Sequence, residues 1–199
     1  MKIIGIGGLS RSGKDSLADL FMANGFYGVS FGDIIRDYTR ERHADKPDPI
    51  SVANMTETAN WLRAQEGADV VLQKALKLFE AEQAAGKDYE GLVLFSVRAP
   101  IEADFILEHG GELIWVEASD EVRYNRMVNN LREGEAKISL EEFIRQENLQ
   151  AEPQPGVPVE AQMNAPYIKQ KATIVFENNE DSFESFKQKA AALVSQLAN

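Results

Sequence analysis

Short apolar runs alternate with longer amphipathic stretches along most of the chain. Apolar runs without polar alternation are typical of strands in a parallel sheet that is covered on both faces. Five runs of this kind lie at residues 2–7, 27–31, 91–98, 113–117 and 172–176. Strands that alternate with helices predict an α/β fold, with helices on both faces of a five-stranded parallel sheet.

The longest helical stretch covers residues 55–84. Asn54 and Glu57 have the spacing of a capping pair at its start, and Gly67 predicts a break or bend within it. Residues 151–166 contain four prolines and no periodicity, which predicts an irregular connection. Shorter helices are expected at residues 14–23, from about 32 to 42, at 101–108, at 120–131, after 139 and at 181–197.

Composition and net charge limit the kinds of molecule that the protein is expected to bind. The chain has 199 residues, 32 of them acidic and 21 basic, and its net charge of −11 would repel the backbone of polymeric nucleic acid. The absence of cysteine excludes disulfides and thiolate metal sites, and we expect His43 and His109 to lie at the surface. With neither a membrane-length apolar stretch nor the features of a signal peptide, we expect a cytoplasmic protein without a membrane partner.

The strongest chemical signal is Gly-Leu-Ser-Arg-Ser-Gly-Lys-Asp at residues 8–15, directly after the first apolar run. In a loop between a strand and a helix, successive N–H groups can surround an anion, and the helix directs its positive end at the same place. A turn that binds nothing would not explain a lysine there. The segment therefore predicts a site for the phosphates of a nucleoside triphosphate, formed by Gly8, Ser10, Arg11, Ser12, Gly13, Lys14, Asp15 and Ser16.

The last position of this phosphate loop, Asp15, departs from the usual motif, which has a Ser or Thr hydroxyl for magnesium. Ser16 follows directly and could provide that hydroxyl. The carboxylate of Asp15 could also hold the metal itself. Both residues are therefore candidate Mg²⁺ ligands.

Several arginines follow predicted strands, at the edge where doubly wound sheets bind ligands. Phosphoryl transfer depends on such groups to align the reactants and neutralise charge. Arg98 is the strongest candidate because it comes directly after an apolar strand. A solvated or salt-bridged surface position is the alternative for each of the others. These are Arg36, Arg63, Arg123, Arg126 and Arg132.

Five segments in order resemble the P-loop nucleoside monophosphate kinases, closest to the deoxynucleotide monophosphate kinase and dephospho-CoA-kinase-like branches. The loop has the GKD ending that is typical of deoxynucleotide kinases, and the other segments are residues 29–36, 60–69, 93–102 and 172–179. The resemblance leaves about 44–54 and 151–166 unexplained. It implies a three-layer P-loop NTPase fold, ATP and Mg²⁺, small-molecule nucleotide substrates, and a monomer or homodimer.

The resemblance also implies roles for single residues. Lys14, Arg98 and Arg126 would act in catalysis, and Asn178 would lie near the adenine. The acceptor monophosphate would be bound by Asp33, Arg36, Arg63 and Arg98.

The same resemblance divides a single domain, residues 1–199, into parts. Residues 44–87 would form an acceptor-binding helical segment, and residues 123–150, with Arg123, Arg126 and Arg132, a lid that closes over ATP and excludes water. A charged surface hairpin is the alternative for the lid. The core would comprise about 1–43, 88–122 and 167–199.

Ser96 departs from the family pattern, which commonly has a magnesium-associated aspartate two residues before the arginine. Asp15 departs within the loop. We hypothesise that the two changes compensate each other, with the metal held by the loop carboxylate.

Other functions stay open at the level of sequence. Dephospho-CoA is the main rival acceptor, although residues 32–36 favour a mononucleotide. A catalytically weak nucleotide-binding or ATPase-type regulatory protein is compatible with Ser96. A GTPase is disfavoured because Asn179 stands where the guanine-reading motif has lysine, and the Asp-x-x-Gly at 88–91 precedes its strand.

Overall fold

A computed structural model of the protein describes residues 2–131, 137–150, 157–180 and 182–198. Its strands are β1 (Lys2–Gly8), β2 (Phe26–Ser30), β3 (Gly91–Val97), β4 (Glu112–Glu117) and β5 (Ile174–Glu177). They form one parallel sheet in the order β2-β3-β1-β4-β5. The predicted five-stranded parallel sheet is confirmed.

The described residues also contain α1 (Lys14–Ala23), α2 (Phe31–Arg42), α3 (Val52–Glu66), α4 (Val70–Ala84), α5 (Pro100–Glu108), α6 (Asp120–Asn129), α7 (Leu140–Gln150), α8 (Ala165–Lys171) and α9 (Phe183–Ala198). A 3-10 turn, Val159–Ala161, precedes α8. None of these helices is both long and apolar enough to span a membrane.

Helices cover both faces of the sheet, and each face has its own apolar core. Phe21 of α1 and Phe186 of α9 belong to the core on one face, while α2, α3, α4, α5 and α8 contribute to the core on the other. Leu92 and Leu94 of β3 belong to the second core and Val93 to the first, and all three are fully buried. The unbroken apolar pattern of β3 follows from this burial on both faces.

The helical stretch predicted at 55–84 is two helices, because the chain breaks at Gly67, whose φ is 107°. This confirms the predicted break. The predicted capping pair of Asn54 and Glu57 is wrong, since α3 begins earlier. Its cap is Ser51, whose Oγ accepts the N–H of Asn54 at 3.3 Å.

Sequence reasoning missed α8, which lies partly in the segment predicted to be irregular. Asn164 caps this helix by accepting the N–H of Tyr167 at 3.0 Å, and Pro166 occupies its first turn. A proline is tolerated there because the first N–H groups of a helix have no intrahelical acceptor. Residues 151–156 lie outside the described part of the chain.

The expectation that both histidines lie at the surface is wrong for His43, which is 4% exposed at the end of α2. Its Nε2 lies 3.9 Å from the carboxylate of Glu57 on α3. The position is set by the packing of α2 against α3, which the sequence around a single histidine does not reveal. His109 is exposed, as expected.

Candidate nucleotide-binding site

The phosphate loop joins the end of β1, in the middle of the sheet, to the start of α1 at Lys14. Strands β3 and β4 flank β1 in parallel, so their carboxyl ends border the loop. Ligands of open α/β sheets bind at this edge. Helix α1 adds the positive end of its dipole to the same region.

The backbone of the loop is curled by residues in left-handed conformation. The φ angle is 63° at Arg11 and 98° at Gly13, and such turns direct N–H groups into an anion-binding concavity. Gly13 also approaches Asn178 so closely that an added Cβ would lie 2.3 Å from its Nδ2. At Gly8, an added Cβ would lie 2.6 Å from the Oγ of Ser12. The two glycines therefore permit the tight loop geometry.

The first carbonyl groups of the loop are held by protein donors. The carbonyl of Leu9 accepts the N–H of Ser12 at 3.3 Å and Nζ of Lys14 at 3.5 Å. The carbonyl of Ser10 accepts Nη1 of Arg123, on α6, at 3.1 Å.

Arg126 and Asn178 hold the next two carbonyls. Nη1 of Arg126 donates to the carbonyls of Arg11 and Ser12, both at 3.3 Å, and Nδ2 of Asn178 donates to Ser12 at 2.7 Å. Nη2 of Arg126 in turn donates to the carbonyl and side-chain oxygens of Asn178, at 3.0 and 3.1 Å. Protein donors thus satisfy the carbonyls from 9 to 12, an arrangement that suits a loop whose N–H groups bind an anion.

A cleft of about 430 Å³ opens beside the loop. Its volume is within the range of small-molecule sites. Lys14 is 5% exposed and lines the cleft, so its charge acts in a partly desolvated place. Other lining residues are Arg11, Gly13, Asp15, Ser16, Arg126, Asn130, Asn178, Glu180, Ser182, Phe183 and Phe186.

The predicted metal ligands, Asp15 and Ser16, both line this cleft next to Lys14. Mg²⁺ commonly takes one or two protein oxygen ligands and completes its shell with phosphate and water oxygens. The carboxylate and the hydroxyl therefore fit a magnesium ion that arrives with a triphosphate. Within the described residues, no group of three or more histidines and acidic residues forms a separate metal site.

Arg98 follows β3, the strand next to β1, and its backbone lies beside the buried carboxyl group of Glu102. Glu102 is 4% exposed, and its Oε2 accepts the N–H groups of Arg98 at 2.8 Å and Ala99 at 3.1 Å. Burial raises the pKa of Glu102, and the charges of Arg63 and Arg98 oppose that rise. Burial lowers the pKa of Arg63, opposed by Glu102. The carboxyl of Glu102 therefore interacts electrostatically with both Arg63 of α3 and Arg98.

The other two predicted acceptor residues, Asp33 and Arg36, lie on α2 and form an ion pair one turn apart. Helix α2 starts beside β3, because an added Cβ at Gly32 would lie 3.7 Å from Oγ of Ser96. Asp33, Arg36 and Arg98 therefore lie on elements at the carboxyl end of β3, and Arg63 interacts electrostatically with Glu102, on the helix that follows this strand.

Ser96 itself has a left-handed backbone, with a φ of 62°, although it lies within β3. The register passes from the pair Ile6 and Phe95 to the pair Gly7 and Val97, so Ser96 is an extra, bulged residue. A left-handed conformation costs a non-glycine residue about 1 kcal/mol. Strain of this kind is concentrated at functional edges, and the sequence carried no signal for it.

The arginines that were predicted to lie in the lid differ in their surroundings. Arg123 is 1% exposed and pairs with Asp120 at 2.6 Å and with Glu147 of α7 at 2.7 Å, which differs from a lid arginine open to the nucleotide. Arg126 is half-buried at the cleft, where burial lowers its pKa and Glu180 opposes the shift. Arg132 lies outside the described residues.

Sequence reasoning missed Glu147 as a site residue. Its Oε1 accepts the N–H of Ser10 at 2.9 Å. Nothing in the local sequence of α7 distinguishes it from Glu141 or Glu142, because the contact spans 137 positions of the chain.

The fold and the loop define a P-loop protein with kinase-like architecture. A family model described as an AAA domain matches residues 4–153, and the chain belongs to that family. Among its relatives, the UPF0200 protein of Methanococcus vannielii is 30% identical over 150 residues, covering 74% of this chain and 76% of the relative. The UPF0200 protein of Methanoregula boonei is 30% identical over 135 residues, covering 66% of this chain and 69% of the relative.

Solved structures share the fold. TT1252 from Thermus thermophilus is 22% identical, with a TM-score of 0.57 over 98% of this chain and 97% of the other. Shikimate kinase from Bacteroides thetaiotaomicron is 16% identical, with a TM-score of 0.52 over 100% of this chain and 99% of the other. The likeness extends to the whole architecture of sheet and helices.

Proposed function

We propose that this protein transfers the terminal phosphoryl group of ATP to a nucleoside or deoxynucleoside monophosphate. The observation that carries the proposal is a pair of cationic regions at the ends of neighbouring strands. The loop with Lys14 follows β1, and Arg98 follows β3. A donor phosphate and an acceptor phosphate bound at these two places would lie at one edge of the sheet, as in-line transfer requires.

On the donor side, the N–H groups of the loop and Nζ of Lys14 bind the β- and γ-phosphates. The adenosine occupies the cleft beside Asn178. The carboxylate of Asp15 or the hydroxyl of Ser16 would hold magnesium, which would neutralise charge on the phosphates. Arg126 supports this arrangement through the loop carbonyls and acts at the transferred group.

On the acceptor side, Arg36, Arg63 and Arg98 bind the monophosphate, and Asp33 orients Arg36. An arginine can grip a phosphate through two parallel hydrogen bonds, which fixes the direction of the acceptor oxygen. The partial burial of Arg63 supports this role, because a desolvated guanidinium favours an anionic partner. Residues 44–87, which contain α3 and α4, form the acceptor-binding segment within a single domain.

We assign the lid to residues 123–150, of which 132–136 lie outside the described part of the chain. Arg123 of α6 and Glu147 of α7 contact the loop. Exclusion of water favours the acceptor over hydrolysis, which a kinase must suppress.

An acceptor screen tests the proposal. ATP consumption is measured with AMP, CMP, GMP, UMP, their deoxy forms and dephospho-CoA, and with water alone. We expect turnover with at least one monophosphate, and a fall of about 100-fold or more in Lys14→Met, because the charge at the phosphates is lost. The matched control is Lys77→Met, which changes an exposed lysine on α4.

The other possible results of the screen would indicate different functions. Turnover confined to dephospho-CoA would make that molecule the acceptor, and turnover with water alone would indicate an ATPase. If ATP is consumed with none of the acceptors, the hypothesis that the protein is a kinase is contradicted.

A further inference from the structure

The two peptide groups on either side of the Ser10 Cα are held by a single ion pair. The N–H of Ser10 donates to Oε1 of Glu147 at 2.9 Å, and its carbonyl accepts Nη1 of Arg123 at 3.1 Å. The same Nη1 donates to the same Oε1 at 2.7 Å. Three bonds therefore close a small ring of donors and acceptors around one residue of the phosphate loop.

This ion pair is well shielded from water. The side chain of Arg123 is 1% exposed and that of Glu147 14% exposed. The guanidinium also lies 5.4 Å from the ring of Phe143, on the same helix as Glu147, and pairs with Asp120. Removal of Arg123 would leave the largely buried carboxylate of Glu147 without a counter-charge, whereas removal of Glu147 would leave Arg123 paired with Asp120 alone.

The position of Ser10 makes the pair more than a link between helices. Ser10 immediately precedes Arg11, whose left-handed backbone starts the curl of the loop. Because Oε1 of Glu147 is shared between Arg123 and Ser10, a shift of α7 must change the orientation of the Ser10 peptide or break a charge-assisted bond. The direction of the neighbouring N–H groups, which bind phosphate, depends on that orientation.

We propose that Glu147 is a positioning residue of the phosphate loop. With Arg123 it fixes both peptide groups of Ser10 and couples the position of α7 to the affinity of the loop for the triphosphate. The inference rests on the proposed function insofar as the loop must bind ATP. The role assigned to Glu147 is exerted through the loop, because its described contacts are with Ser10 and Arg123.

The test compares the dissociation constants of ATP and adenosine for Glu147→Ala, Glu147→Gln and the wild type, by calorimetry or displacement of a fluorescent ATP analogue. Loss of a hydrogen bond to a charged group predicts ATP binding about tenfold or more weaker in the alanine variant. The glutamine variant keeps an acceptor for Ser10 but loses the charge, so we expect a smaller loss of about threefold. Adenosine, which lacks phosphates, should bind all three proteins equally.

A matched control lies outside the proposed lid. Glu108→Gln removes an exposed carboxylate at the end of α5. We expect wild-type ATP affinity in this control. If Glu147→Ala fails to fold, which circular dichroism reports, the glutamine variant decides the question alone.

Unchanged ATP binding in a folded Glu147 variant would overturn the inference. Tighter ATP binding would also overturn it, because that result is expected if the carboxylate only repels phosphate. An equal loss for ATP and adenosine would also overturn it, because a general loss of structure has that effect. A wild-type protein that binds no ATP would contradict the proposed function, and the inference with it. The failure of the inference alone requires a wild type that does bind ATP.

Discussion

Single residues at the carboxyl ends of β1 and β3 form most of the candidate site, and Ser96 illustrates why their environment matters. Its hydroxyl lies beside the start of α2, and its backbone is left-handed. Aspartate and asparagine adopt this conformation more readily than most residues. A carboxylate can therefore be introduced at this position with little added strain, which makes the compensation between Asp15 and Ser96 testable.

We expect Asp15→Ser and Ser96→Asp each to lower kcat/KM about tenfold, because each alters the carboxylates available to magnesium. The kcat/KM of the double variant should exceed the value expected from the product of the two single effects, since its carboxylate returns to the position common in the kinases that the sequence resembles. The measurement is kcat/KM as a function of Mg²⁺ concentration with the acceptor found in the screen.

Ser96→Asn in the Asp15→Ser background is the matched control, because it adds a similar side chain without charge and should not restore activity. If the kcat/KM of the double variant equals the value expected from the product of the two single effects, the two positions act independently.

At the scale of elements, local signals set where most helices and strands lie, and packing set their ends. The break at Gly67 was predictable because glycine ends helices through its backbone freedom. The cap at Ser51 was not predicted, because Asn54 and Ser51 are both good caps and the folded loop decides between them. Helix α8 was missed because a proline in a first turn looks the same in sequence as a proline in a loop.

Helix α5 carries a prediction for the dependence of stability on pH. Burial raises the pKa of Glu102 above its ordinary value of 4.5, so the folded protein holds this proton more tightly than the unfolded chain. The stability that this group contributes is therefore complete below the ordinary pKa and is lost as the pH rises through the raised pKa. Replacement by glutamine removes the titration and keeps an oxygen for the N–H groups of Arg98 and Ala99.

We expect the free energy of unfolding of Glu102→Gln, measured in urea, to rise relative to the wild type as the pH increases from about 5 to about 8. The stability of Glu102→Gln relative to the wild type should rise by no more than about 1.4 kcal/mol per pH unit, which is the largest change that the titration of one proton can cause. Glu108→Gln, an exposed change on the same helix, should follow the wild type at each pH. Parallel curves for Glu102→Gln and the wild type would contradict a raised pKa in the folded state.

At the scale of the whole molecule, the protein combines a net charge of −11 with a cationic edge of the sheet. Short-range contacts can bind one small anion at that edge, but the net negative charge of the chain opposes the binding of an extended polyanion. We therefore expect the protein to bind nucleotides in preference to polymeric nucleic acid.

We expect no change in the fluorescence anisotropy of a labelled single-stranded or duplex oligonucleotide at protein concentrations and about 0.1 M salt where ATP binds. A fluorescent ATP analogue in the same buffer is the positive control. Oligonucleotide binding that weakens steeply with added salt would contradict this expectation.

The sequence by itself determined the parallel sheet, the flanking helices and the phosphate loop, because apolar periodicity and a glycine-rich turn with lysine act over neighbouring residues. Only the tertiary structure decided which groups the arginines contact. Arg123 is buried against Glu147 and Arg126 holds the carbonyls of the loop, through contacts that span from 24 to 115 positions. Such contacts depend on how α6, α7 and the sheet edge pack together, and no local pattern of residues encodes that arrangement.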